Sequence, residues 1–182
     1  TRDFANIMLR DALKVMRYEK ERYGNEVLYE EADIASALSL WEVVPYDKVL
    51  TLENGVKAHF TDVGHILGSA MVHLERNGKK IVFTGDIGND PQPLLNPPVA
   101  PTDYDYLVVE SVYGDRKHEE VAERTELLKG HILETQAKRG TLIIPAFSLE
   151  RTQGMLLEIN NLVESGAIEP LPVFLDSPLA IS

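Results

Sequence analysis

Over residues 3–23, apolar Phe4, Ile7, Met8, Ala12, Val15 and Met16 recur at helical spacing, and Gly24 follows as a stop. A second helical run, EEADIASALSLWEVV, places Ile34, Ala37, Leu38 and Trp41 on one face, with Asp33 or an earlier acid near its start. Trp41 is expected there as a packing anchor. The period then changes from helical to alternating. KVLTLENGVKAHFTDV and AMVHLERNGKKIVFTGD each set β-rich segments on both sides of an Asn-Gly pair, which readily adopts the positive φ angles of a two-residue type I′ turn. Two hairpins in succession predict an antiparallel layer.

GNDPQPLLNPPVAPTDY holds five of the ten prolines, and proline removes ladder donors, so this stretch predicts an extended loop draped over the surface. Beyond it, YDYLVVES predicts a buried strand, HEEVAERTELLKGHILETQAKRG a helix closed by Gly140, and TLIIPAF another strand. ERTQGMLLEINNLVESG predicts a further helix and PVFLDSP a last strand. Helices, hairpins, then strands alternating with helices define an α/β chain: a mixed sheet with antiparallel hairpins, covered by helices.

Composition narrows the function classes. No apolar run among the 182 residues is long enough to cross a bilayer, and the N-terminus carries charge throughout instead of the ordered regions of a secretory signal. With no cysteine, a metal would have to be held by nitrogen and oxygen ligands, and the absence of disulfides fits a cytoplasmic protein. A net charge of −11 disfavours non-specific attraction to nucleic acid or anionic lipid, so a polyanionic substrate would need a local basic channel or metal ions.

Candidate chemistry concentrates at the ends of the second hairpin. His65, in DVGHILGSA, precedes a strand, and Asp86, in FTGDIGN, follows one. Paired across Asn77-Gly78, the two strands carry both residues to one edge of the sheet, provided the irregular GHILG loop absorbs a few extra residues. Imidazole and carboxylate converging there suit a divalent metal such as zinc. The competing reading is a histidine bonded to a backbone carbonyl and an aspartate that shapes a turn. Glu110 ends the strand of LVVES, where open sheets keep reactive groups; capping or a surface ion pair is its alternative. No G-x-S-x-G elbow surrounds Ser69, Ser148 or Ser177, and neither a calcium loop nor a Lys-Ser/Thr phosphate loop is present. His59, His73, His118 and His131 are expected to be structural. Arg116, Lys117 and Arg151 carry cations that suit phosphates, or simply a solvated surface.

Taken in order, DVGHILGSAMVHLE, IVFTGDIGN, YLVVESVYGDR, LIIPAFSLERTQGMLLEI and PVFLDSPLA resemble the metallo-β-lactamase superfamily in its β-CASP nucleic-acid-processing branch, from about residue 29 to the end. The resemblance implies part of an αββα sandwich, with residues 1–170 as the C-terminal part of the metallo-β-lactamase domain and 171–182 as the start of the β-CASP domain. It implies His65 as a ligand of one zinc, Asp86 as a carboxylate bridging two zincs, and Glu110 as an acid that hydrogen-bonds and tunes a nearby histidine. The implied reaction is phosphodiester hydrolysis, with two metals activating a water for attack on phosphorus. RNA is the expected substrate and DNA the alternative. The family's H-x-H-x-D-H signature is absent, which leads to the expectation of an internal fragment of a larger enzyme, inactive alone and binding zinc weakly or not at all. A non-catalytic scaffold that binds RNA or a partner is the rival from another class.

Overall fold

The computed structural model describes residues 1–116, 121–147 and 149–181. Lys117, His118 and Ser148 lie outside the described residues. Five strands, β1 (Leu50–Thr51), β2 (Lys57–Asp62), β3 (Ala70–Arg76), β4 (Lys79–Phe83) and β5 (Tyr106–Val108), form one sheet in the order β1-β2-β3-β4-β5. β1 to β4 are antiparallel neighbours, and β5 runs parallel to β4, so the sheet is mixed. This is α/β architecture, compatible with part of the sandwich that the resemblance implies.

Asn77-Gly78 forms the expected two-residue turn, whereas Asn54-Gly55 ends a three-residue 3-10 turn, Glu53–Gly55, closed by the Leu52 N–H donating to the Val56 carbonyl. Asn54 and Gly55 have φ of 63° and 74°, and Asn77 and Gly78 have 51° and 72°, the left-handed values these residues tolerate. The second turn fixes the pairs Arg76↔Lys79 through Val72↔Phe83. Because β2 and β3 pair only up to Asp62↔Ala70, residues 63–69 form an irregular loop at the sheet end opposite that turn. This loop absorbs the offset between the His65 and Asp86 distances from the turn. Val63, Met71 and Val82 form the sheet's core, with Ile87 and Leu107 packed against it.

Helix α1 (Arg2–Tyr23) matches its predicted span and ends at Gly24 with φ 76°. Helix α2 (Glu31–Ser39) opens with the Asp33 carboxylate accepting the Glu30 N–H at 2.8 Å. Buried Leu13 and Ile34 mark the inner sides of the two helices, and the Tyr29 hydroxyl donates to the Leu9 carbonyl across their junction. Trp41 lies past the end of α2 and is 42% exposed, so the packing role expected of it does not hold; the helical period simply stops two residues short of it. The Thr1 hydroxyl donates to the Gly68 carbonyl at 2.7 Å, which ties the start of α1 to the histidine loop.

Helices α3 (Val121–Ala137) and α4 (Arg151–Glu164) share a second core of Ile132, Leu162 and Ile168. Arg139, not Gly140, takes the left-handed turn after α3, with φ 51°. The other departures concern strands. Residues 141–147 and 172–177 join no ladder among the described residues; Ile143 is 82%, Phe147 84% and Phe174 89% exposed, and a four-residue helix, α5 (Pro178–Ile181), follows. β5 is also less buried than predicted, since Tyr106 is 58% and Val108 50% exposed at the edge of the sheet. A strand needs a paired edge to satisfy its N–H and C=O groups, and apolar composition alone does not supply one.

Candidate active site

Three loops meet at one end of the sheet: the β2–β3 loop with His65, the segment after β4 with Asp86, and the segment after β5 with Glu110. Since β4 and β5 are parallel, both deliver their C-terminal ends to this edge, the usual location of chemistry in sheets with parallel strands.

Local hydrogen bonds shape the histidine loop. The Ser69 hydroxyl accepts the N–H groups of His65 and Ile66, each at 3.2 Å, and the Asp62 carboxylate accepts the Gly64 N–H at 2.9 Å. The proline-rich segment braces this loop from below. A Cβ on Gly64, where φ is 62°, would lie 2.5 Å from the Asn96 carbonyl, and Val99 donates its N–H to Asp62. The segment predicted only to drape over the surface therefore supports the site.

Gly88 joins the histidine and aspartate loops. Its N–H donates to the Val63 carbonyl at 2.9 Å, and a Cβ at Gly88 would lie 1.7 Å from the Gly64 carbonyl oxygen. No side chain fits between these backbones, so only glycine permits the approach. The result is a separation of 3.9 Å between His65 Nε2 and Asp86 Oδ2, with both side chains accessible.

Glu110 acts on the same loop through the backbone. One carboxylate oxygen accepts the Ile87 N–H at 2.7 Å and the other the Val112 N–H at 3.4 Å. Its hydrogen bonds among the described residues therefore hold the residue next to Asp86; no histidine takes part.

His65, Asp86 and Glu110 line a cleft of about 640 Å³ together with Tyr113, Arg116, Arg124 and Arg151. Arg116 and Arg151 were candidates for phosphate contact, and Arg124 was not. Its position inside a charged helical run carried no signal that the fold would bring it here. Next to Arg151, Glu150 precedes α4 with φ 66° and ψ −55°, a region costly for a residue with a Cβ. Burial pushes its carboxyl above the usual range, opposed by the positive charge of Arg151 and by His65.

His59 and His73 lie away from this cleft, paired across β2 and β3 with their rings stacked at 4.2 Å. The Thr61 hydroxyl lies 2.9 Å from His73 Nε2. Both rings are engaged within the sheet by these contacts.

The donor chemistry of His65 and Asp86 fits a borderline cation such as zinc. Two atoms each about 2.0–2.2 Å from a tetrahedral ion stand about 3.4 Å apart, so the observed 3.9 Å would have to close by about half an ångström on binding. Among the described residues no group of three or more histidine, aspartate or glutamate side chains is placed to hold a metal, so this pair is half of an ordinary tetrahedral set. No helix of the described residues is long and apolar enough to cross a membrane.

The chain is similar to the RNase J-like protein of Methanocaldococcus jannaschii, 38% identical over 156 residues that make up 83% of this chain and 37% of that protein. It is also similar to ribonuclease TTHA0252 of Thermus thermophilus, 33% identical over 178 residues, 96% of this chain and 38% of that one. Cleavage and polyadenylation specificity factor subunit 3 of Dictyostelium discoideum is 29% identical over 182 residues, 99% of this chain and 23% of its own length. This chain thus spans between 23% and 38% of the length of these curated relatives. No family model matches it.

Proposed function

Because the chain belongs to the β-CASP nuclease branch of the metallo-β-lactamase superfamily, we propose that it forms part of the active site of a metal-dependent phosphodiesterase that hydrolyses RNA. The observation that carries this reading is the 3.9 Å approach of His65 Nε2 to Asp86 Oδ2 in a cleft that also holds Glu110 and three arginines.

Four residues of the chain divide the work between them. His65 offers an imidazole nitrogen and Asp86 a carboxylate able to bridge two ions. Ser69 holds the histidine loop by accepting two backbone N–H groups, and Glu110 holds the aspartate loop by accepting the Ile87 N–H. Zinc, when bound, supplies Lewis-acid polarisation of the phosphate and a lowered pKa for water, which offsets the difficulty an acidic chain has with a polyanion. Two donors fall short of the three protein ligands and open position of a catalytic zinc site, so the 182-residue chain by itself is expected to be inactive and the complete native chain active.

Hydrolysis of single-stranded RNA by the complete native chain tests this. Asp86→Ala should lower turnover well beyond the roughly 10–100-fold that losing a residue behind a ligand costs. Glu110→Ala should fall within that smaller range, and Glu110→Gln, which keeps one carbonyl acceptor for the Ile87 N–H, should recover most of the loss. An unimpaired Asp86→Ala variant would overturn the reading. A complete chain that binds RNA without ever cleaving it would favour a non-catalytic scaffold, and metal-dependent turnover by the 182-residue chain would contradict its expected inactivity.

A further inference from the structure

The histidine loop is held by residues that do not line the cleft as well as by its own hydrogen bonds. Gly68 and Ser69, at the end of this loop, precede the β2–β3 ladder, which stops at Asp62↔Ala70. Their consecutive carbonyls each accept a side-chain hydroxyl from a distant segment, that of Thr1 at 2.7 Å and that of Tyr46 at 2.8 Å. The two restraints differ in what lies behind them. Gly68 has no side chain through which to pass a restraint, whereas the Ser69 hydroxyl oxygen accepts the N–H groups of His65 and Ile66, each at 3.2 Å. A continuous path therefore runs from the Tyr46 ring through Ser69 to the backbone of His65.

The sheet explains how Tyr46 reaches this loop. Strand β1 pairs antiparallel to β2 in the register Leu50↔Ala58, so the residues before β1 run toward the Asp62 end of β2. The Asp47 N–H continues that contact by donating to the Phe60 carbonyl at 2.8 Å. Asp47 takes a φ of 59°, which turns the chain and leaves Tyr46 beside the point where β2 gives way to the histidine loop. Burial, and then the charge of Asp62, raise the Tyr46 phenol above its ordinary 10, so it stays protonated and a donor at neutral pH. Tyr46 is 38% exposed, so water can replace part of a lost hydrogen bond, and that bounds the effect of removing it.

We propose that Tyr46 is a positioning residue for the hydrolytic reaction: its hydroxyl fixes the Ser69 peptide, Ser69 fixes the His65 backbone, and His65 is thereby held facing Asp86. The inference deepens the hydrolase reading and rests on it for the reaction that His65 serves.

Tyr46→Phe, which keeps the ring and removes only the hydroxyl, tests this in the complete native chain. In the metal-free chain, hydrogen exchange at the His65 and Ile66 amides should quicken about threefold to tenfold, the worth of one net hydrogen bond. Zinc affinity, measured by competition with a chromophoric chelator, and kcat on single-stranded RNA should each fall by about the same factor. KM should stay unchanged, because Tyr46 does not line the cleft. Ser69→Ala should cost more than Tyr46→Phe, since two N–H groups lose their acceptor. Adding Tyr46→Phe to Ser69→Ala should then cost almost nothing further, because the restraint travels through that side chain. Unchanged exchange in Tyr46→Phe, faster exchange with zinc affinity and kcat both intact, or losses that multiply in the double variant would each overturn the proposal. The exchange measurement requires neither metal nor turnover, so the proposal fails on it independently of the hydrolase reading, which fails on Asp86→Ala.

Discussion

The sheet of residues 50–108 and the segments at 141–147 and 172–177 have equally apolar, β-rich sequences and opposite fates. In the sheet, Val63, Met71 and Val82 are at most 2% exposed; in the later segments Ile143 and Phe174 are 82% and 89% exposed. The difference is access to a partner edge. Each hairpin strand finds its partner a few residues away, across a turn whose Asn-Gly pair costs little to fold back. Residues 141–147 have a helix on either side and no neighbouring strand in sequence. Helices α3 and α4 meet no such requirement, because a helix satisfies its hydrogen bonds internally and needs only one apolar stripe to bury, here Ile132 against Leu162 and Ile168.

That contrast can be broken by mutation. Met71→Ala should destabilise the chain by about 2–5 kcal/mol in urea unfolding, since it removes a fully buried side chain from the sheet core. A loss below about 1 kcal/mol would mean the sheet is not the packed unit described. Gly88→Ala should cost about 1–3 kcal/mol, as for other overpacked positions, because its Cβ would fall on the Gly64 carbonyl. It should also weaken activity in the complete chain, because the histidine and aspartate loops must part. Unchanged stability and activity would show that they do not touch at Gly88.

A smaller effect should appear with pH. Burial, and then the facing His59, hold the His73 imidazole below its ordinary 6.5, with Asp47 opposing. The unfolded chain takes up this proton as pH falls below about 6.5 while the folded ring resists. The stability His73 contributes is therefore full above that pH and is lost as pH falls through the lowered folded value. His73→Gln should flatten the slope of unfolding free energy between pH 7 and pH 5; an unaltered slope would place the sensitivity elsewhere. Smallest of all, Ile143→Ala should change stability by no more than about 0.5 kcal/mol, as at exposed positions generally. A loss comparable to that of Met71→Ala would show that residues 141–147 are buried in solution.

Legibility in the sequence followed the range of the interactions. Helix α1, the Asn77-Gly78 turn, the hairpin strands and α4 were readable because their determinants are local: a 3.6-residue period, a period of two, and residues that tolerate positive φ. Strand pairing of 141–147 and 172–177 was misjudged because it depends on an edge that no local pattern announces. The convergence of His65 and Asp86 was visible from their distances to Asn77-Gly78, since one register decides it. The backbone role of Glu110, the close approach at Gly88 and the place of Arg124 in the cleft depend on where a loop lands on its neighbour, and residue type alone carries no such information.

Whether His65 and Asp86 serve one shared cation is measured most directly by a double-mutant cycle on RNA hydrolysis by the complete native chain. If both side chains belong to one metal site, either single substitution to alanine should remove nearly all turnover, and the double variant should be no worse than the poorer single one. Losses that multiply as independent factors, or a single variant that keeps its activity, would contradict it.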